Sequence, residues 1–236
     1  MPLFDGRLVP SWVRQIVKRI ARSPGIARHS ELLARFHWQA QLAETRRKAP
    51  DAPVFPSRED LFAHVNQEVF DGGRLAMDFL EFGVFQGASL RTWANLNHNP
   101  GTRYWGFDSF EGLPEDWHPG KERGTFSTSG KPPVIDDSRV QLVVGLFQDT
   151  LPIFLHSFEP RNRLLVHSDS DLYSSTLYCL TMMNSLLLPG TIMIFDDFYD
   201  SLHQYRAFRD YCSAYRRTFR VVGMTKEFGQ AAVEIN

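Results

Sequence analysis

Apolar positions recur along this chain at two spacings. Short apolar runs stand at Ala76–Phe82, Arg103–Asp108, Arg139–Val144, Leu164–Asp169 and Thr191–Phe195, with a closing pair at Phe219–Val222 and about Ala231–Ile235. Each is brief, apolar and mostly set off by glycine, proline or asparagine, so each reads as a strand. Helical patterns lie between them: from the turn after Phe82 to about Asn97, a short one from about Leu151, Ser174–Leu188, and about Leu202–Arg216. Turns are marked by Asp71-Gly72-Gly73, Asn99-Pro100-Gly101 and Pro189-Gly190, and a long loop runs from Ser109 to about Asp137. Strands alternating with helices predict an α/β fold, a mostly parallel sheet covered on both faces. The last two strands predict an antiparallel hairpin at that sheet.

The first third is helical in pattern. Val13, Ile16, Val17 and Ile20 share one face of a helix over residues 11–22, which Pro24-Gly25 ends. A second helix runs from about Ser30 to Arg47, and the proline-rich Ala49–Pro56 reads as a linker. Ser57 caps a third helix, with Asp60 three residues on, to about Phe70. The expected division is a helical arm or lid over 1–56 and a main domain over 57–236.

Charge changes this picture. The whole chain of 236 residues carries a net −1, yet residues 1–50 hold ten Lys or Arg against three Asp or Glu. A basic arm on an acidic body predicts docking on that body or on a second copy, a homo-oligomer. The arm has few aromatics to stack on bases, so no nucleic-acid partner is expected. No apolar run spans a bilayer, and no signal-peptide core stands at the start, so a cytoplasmic protein is expected. The two cysteines, Cys179 and Cys212, fall in helical patterns among apolar neighbours and read as buried thiols.

The chemistry gathers where the strands end. In an open parallel sheet, ligands bind beyond the carboxyl ends of the strands. Here the first strand ends near Glu81, the second at Asp108, the fourth at Asp169 and Asp171, and the fifth at Asp196 and Asp197. Buried acids are costly unless paired, hydrogen-bonded or metal-bound. Convergence of so many points to one shared site. The stretch MDFLEFGVFQGASL, residues 77–90, is a strand, a tight turn and a helix start. Gly83 permits the sharp turn, Gly87 lets a ligand pass close to the chain, and the helix opening near Ala88 offers N–H groups to an anion. Glu81 can pair with an ammonium group. The G-x-G-x-x-G of a dinucleotide site is missing, which argues against a nicotinamide enzyme. Asp108 can accept a ribose hydroxyl pair, with Ser109 beside it. Phe147 can stack on a purine, and Gln148 or Asp149 can bond its edge. Asp169, Asp196 and Asp197 would repel one another unless a cation joined them, and such hard ligands suit Mg²⁺, with Mn²⁺ or Ca²⁺ as alternatives.

Five segments, LEFGVFQGASL, GFDSFEGLPEDW, VGLFQDTLP, HSDSDLYSST and GTIMIFDDF, resemble in order and form the macrocin O-methyltransferase family. The resemblance covers about Leu75 to Phe198. It implies a Rossmann-like class I methyltransferase sheet of seven strands, S-adenosylmethionine and Mg²⁺ as cofactors, and a sugar-containing hydroxylated small molecule as acceptor. By position it implies that Glu81, Gly83 and Gly87 border the methionine half of the cofactor and Asp108 holds the ribose. Phe147 and Gln148 then lie near adenine, and Asp169, Asp196 and Asp197 bind metal. Ser168 departs from the aliphatic residue common in relatives, and the N-terminal arm departs more.

The expected reaction is O-methyl transfer. An oxygen nucleophile must attack in line behind the sulfonium, and a base must take its proton. Asp169 is the first candidate base; His203 and His167 are others. Trp117 and Tyr173 are candidate walls of the acceptor pocket. Three rivals stand beside this reading: a catechol-like phenol as acceptor, a cofactor-binding or scaffold protein that keeps the fold without the chemistry, and a glycosyltransferase using Asp169-Ser170-Asp171 as a metal-binding D-x-D.

Overall fold

The computed structural model describes residues 24–236, with side chains from Leu32 onward, so the helix expected over 11–22 lies outside the described residues. The strands are β1 (Val54–Phe55), β2 (Met77–Phe82), β3 (Arg103–Asp108), β4 (Val140–Val144), β5 (Arg163–Ser168), β6 (Ile192–Phe195), β7 (Phe219–Thr225) and β8 (Ala231–Ile235). They form one sheet in the order β1-β7-β8-β6-β5-β2-β3-β4. Only β8, between β6 and β7, runs antiparallel to its neighbours. The helices are α1 (Pro24–Arg47), α2 (Arg58–Phe70), α3 (Ala88–Leu96), α4 (Phe147–Ser157), α5 (Tyr173–Met182) and α6 (Gln204–Tyr215).

The sheet has eight strands where seven were expected. The extra one is β1, inside the stretch read as a linker, where Val54 and Phe55 pair with Met224 and Thr225. Pro53 and Pro56 flank it. Neither can donate to a ladder, so the strand stays two residues long and at the edge. Pro24 opens α1 instead of only ending the preceding pattern, because the first turn of a helix has no use for the missing N–H. The fourth helix begins at Phe147 and not at Leu151, with Pro152 inside it. Pro152 leaves the Gln148 carbonyl without its helical donor, and the Tyr178 hydroxyl donates to that oxygen at 3.4 Å.

Alternation along the strands builds two apolar layers. Leu80, Phe82, Phe107, Val166, Met193 and Phe195 face α4, α5 and α6. Met77, Phe79, Tyr104, Leu165 and Ile194 face α2 and α3. Both cysteines are free and buried on the first of these sides. The described part of the arm docks on the body: Gln39 Nε2 donates to Ser201 Oγ at 3.1 Å, and Thr45 and Tyr205 share a hydrogen bond of 2.9 Å.

At the amino-terminal edge of the sheet one acid has a purely structural role. Asp78 is fully buried, and Arg103 donates to both its oxygens at 2.9 and 2.7 Å. The Arg161 N–H and the Asn162 side chain add bonds of 2.7 and 3.0 Å. Burial alone would raise this carboxyl, but Arg103 and the surrounding donors hold it below its ordinary value. A depressed folded-state pKa stabilises the protein above the unfolded pKa and loses that contribution as pH falls through the folded one. Arg103→Ala is therefore expected to cost about 2–3 kcal/mol in urea unfolding at pH 7. The difference from the unsubstituted protein should shrink as pH drops below about 4.

Candidate active site

The C-terminal ends of β2, β3, β5 and β6 open onto one cavity of about 590 Å³. A larger groove of about 830 Å³ lies elsewhere, between α1, α6 and the start of β7, and no strand-end acid reaches it. One wall of the first cavity is the turn after β2. Gly83 has φ +93°, and a Cβ there would collide with the backbone carbonyl of Asp169. Only glycine lets β2 leave the sheet this close to the end of β5.

Asp108 fixes the same turn from the next strand. Its Oδ2 accepts the N–H groups of Val84 and Phe85, each at 2.8 Å, and its Oδ1 accepts that of Phe110 at 2.7 Å. The carboxylate lines the cavity with Ser109, and Oδ1 keeps acceptor capacity for a ligand hydroxyl. Phe147 and Gln148 line it too, because the early start of α4 puts both in its first turn.

Opposite stand the acids. Asp169, Asp171, Asp196 and Asp197 all line the cavity. Oxygen atoms of Asp169, Asp171 and Asp197 lie within 4.8 Å of one another, and so do ligand atoms of His167, Asp169 and Asp196. Asp169 belongs to both groups. Burial, then Asp196 and Asp171, raise the Asp169 carboxyl well above its ordinary value. Burial and Asp197 push Asp171 up to about 8, and burial and Asp196 push Asp197 up to about 6. Two cations partly offset this. Arg58 Nη1 lies 3.5 Å from Asp196 Oδ1, and the Lys121 ammonium draws the Asp171 value down. A donor set of crowded oxygens fits a divalent cation, which would reverse these shifts.

Not every expected residue meets the cavity. Glu81 is fully buried behind it, and its Oε1 accepts from Ser89 Oγ and from His167 Nδ1. Gly87 caps α3 with φ +76°, and a Cβ there would face Pro133 and Ile135 instead of the cavity. Its neighbours Ala88 and Ser89 do line the cavity. His203 also lies outside the lining. Its Nδ1 accepts the Tyr173 N–H at 3.3 Å, and burial lowers its pKa. It stands with His118 and Asp200 in a separate group. Trp117 lines the cavity and donates to Asp200 Oδ2 at 2.9 Å, whereas the Tyr173 hydroxyl turns away to Asp210 at 3.0 Å. Arg58, Lys121 and Phe126 are lining residues that no motif signalled. Asp171 was visible as a strand-end acid and in the D-x-D spacing, though not among the metal ligands that the resemblance implied.

A family described as "Methyltransferase domain" matches residues 80–198, the span holding Asp108, Asp169, Asp171, Asp196 and Asp197. The chain belongs to that family. The fold is the Rossmann-like class I methyltransferase sheet. A Streptomyces olivaceus protein, 8-demethyl-8-(2,3-dimethoxy-alpha-L-rhamnosyl)-tetracenomycin-C 4'-O-methyltransferase, is 32% identical over 159 residues, 55% of this chain. The aligned part spans 58% of that relative's length. Among solved structures, the O-methyltransferase NovP matches 75% of this chain and 78% of its own, with TM-score 0.58 and 22% identity. The calicheamicin methyltransferase CalS11 matches 94% and 90%, with TM-score 0.59 and 22% identity. At such identities the two structures establish the fold.

The acids of this cavity set its pH response. Asp171 holds a proton in the folded protein that the unfolded chain gives up near pH 4, so stability falls as pH rises toward 8. Asp171→Asn is expected to stabilise the metal-free protein at pH 7.5, by up to about 5 kcal/mol. Thermal unfolding should show that gain fading as pH approaches 4.

Proposed function

We propose that this chain is an S-adenosylmethionine-dependent O-methyltransferase acting on a hydroxyl of a sugar or glycosylated natural product. One observation carries the reading: the strand-end aspartates share a cavity with the Gly83, Asp108 and Phe147 wall. That pairing suits a nucleoside cofactor beside a site for an oxygen nucleophile. Likeness to the tetracenomycin-C 4'-O-methyltransferase supports the acceptor class.

In this reading Asp108 holds the ribose, and Phe147 and Gln148 border adenine. Asp169, Asp196 and Asp197 hold a divalent cation, to which Asp171 is a fourth neighbouring acid. When bound, the cation lowers the acceptor hydroxyl's pKa and fixes its direction. The acceptor oxygen forms the new bond to the methyl carbon as the carbon–sulfur bond breaks. The hydroxyl proton passes to a carboxylate, and the products are a methyl ether and S-adenosylhomocysteine. Asp169 and Asp171 are the candidate bases, since both line the cavity and His203 does not. Trp117 and the loop bearing Lys121 and Phe126 wall the cavity and exclude water from the transfer.

Calorimetric titration with S-adenosylmethionine should give saturable binding that Asp108→Ala abolishes, while a UDP-sugar gives none. Asp169→Asn should lower turnover by about 100-fold or more and leave cofactor binding largely intact. A rhamnosylated polyketide should outperform a catechol as acceptor. Binding of the UDP-sugar in place of S-adenosylmethionine would overturn the reading and make Asp169-Ser170-Asp171 a glycosyl-transfer centre.

A further inference from the structure

We propose that His167 is itself a ligand of the divalent cation, through Nε2, and that the site therefore prefers a first-row transition ion of the Mn²⁺ class over Mg²⁺. The inference rests on the cation site argued above and extends it beyond oxygen ligands.

The strand register places this histidine. His167 pairs with Glu81 across β2 and β5, and with Ile194 across β5 and β6. Its side chain is fully buried, and the edge-on ring of Phe62 from α2, 5.3 Å away, holds the imidazole plane. On one side of the ring, Nδ1 lies 2.8 Å from Glu81 Oε1. A carboxylate oxygen there accepts, so Nδ1 carries a proton, which leaves the Nε2 lone pair as the one a metal ion would meet.

That lone pair has no hydrogen-bond partner among the described residues. It points toward the acids: Nε2 is 4.0 Å from Asp196 Oδ1, and one ligand atom each of His167, Asp169 and Asp196 lie within 4.8 Å of one another. A separation of 4.0 Å is too long for a hydrogen bond. It falls within the span of two atoms bound to one ion, since ligands at about 2.1–2.2 Å lie at most about 4.4 Å apart. Arg58 approaches the same Asp196 oxygen at 3.5 Å, and a carboxylate oxygen has a second lone pair for it. Glu81, His167 and the ion then form a carboxylate–histidine–metal chain, in which the outer carboxylate fixes the tautomer and strengthens the ligand. This gives Glu81 a task despite its place behind the cavity. An imidazole nitrogen suits Mn²⁺, Fe²⁺, Co²⁺ or Zn²⁺, whereas Mg²⁺ takes oxygen.

Electron spin-echo modulation of the full-length protein loaded with Mn²⁺ alone tests this without relying on turnover. The unsubstituted protein should show the ¹⁴N coupling of a directly bound imidazole, and His167→Asn should lose it. Competition by calorimetry should show Mn²⁺ bound about tenfold or more tightly than Mg²⁺, with Glu81→Gln weakening Mn²⁺ by about 10–100-fold. Mn²⁺ bound with no ¹⁴N coupling in the unsubstituted protein would overturn the inference and leave the cation site standing, with His167 outside the coordination sphere. Binding of neither ion would remove both.

Discussion

Crowding of carboxylates at one edge of a parallel sheet is the constraint on which the rest of this molecule turns. Asp169, Asp171, Asp196 and Asp197 line one cavity and Glu81 lies just behind it, and the folded chain answers with few cations. Arg58 reaches in from the start of α2 and Lys121 from the long loop. Burial and mutual repulsion raise three of the acids, so the folded protein is less stable near neutrality than it would be with amides in their place. Sites that hold such strain are those where chemistry is done. The opposite edge of the sheet shows the contrast. Asp78 is as deeply buried as any of them, yet Arg103 and three further donors satisfy it, and its pKa is lowered instead.

The backbone makes the crowding possible. β2 and β5 approach so closely at their ends that Gly83 has no room for a side chain against Asp169. Asp108 ties the outgoing turn down by accepting the N–H groups of Val84 and Phe85, and its own exit loop by accepting that of Phe110. The same residue that can meet a ribose thus also shapes the loop that would surround the cofactor. Function and local folding are not separable there, and substitutions at Asp108 act on both.

Much of this was legible in the sequence. The strand ends were readable because apolar runs closing on an acid leave little choice of where the sheet stops. The D-x-D at Asp169 and Asp171 and the adjacent Asp196 and Asp197 therefore pointed to the cavity that all four line. What was not legible depends on register. Nothing in the order of residues says that Glu81 lies opposite His167, so Glu81 read as a cofactor contact and His167 only as a weak candidate base. Pro152 hid the first turn of α4, because the Tyr178 hydroxyl that satisfies the freed Gln148 carbonyl is remote in sequence. Lys121 and Phe126 sit in a loop with no periodicity, and only its folding over the cavity reveals them. The eighth strand escaped notice because two residues between prolines carry no pattern.

The central claim is that these acids are gathered to share a cation beside a nucleoside pocket. Anomalous diffraction from crystals grown with Mn²⁺ and S-adenosylhomocysteine addresses it directly. The expected result is one strong peak within bonding distance of Asp169 and Asp196, with the nucleoside against Asp108 and Phe147. A cavity with the nucleoside in place, no peak, and the acids hydrogen-bonded to one another through shared protons would contradict it.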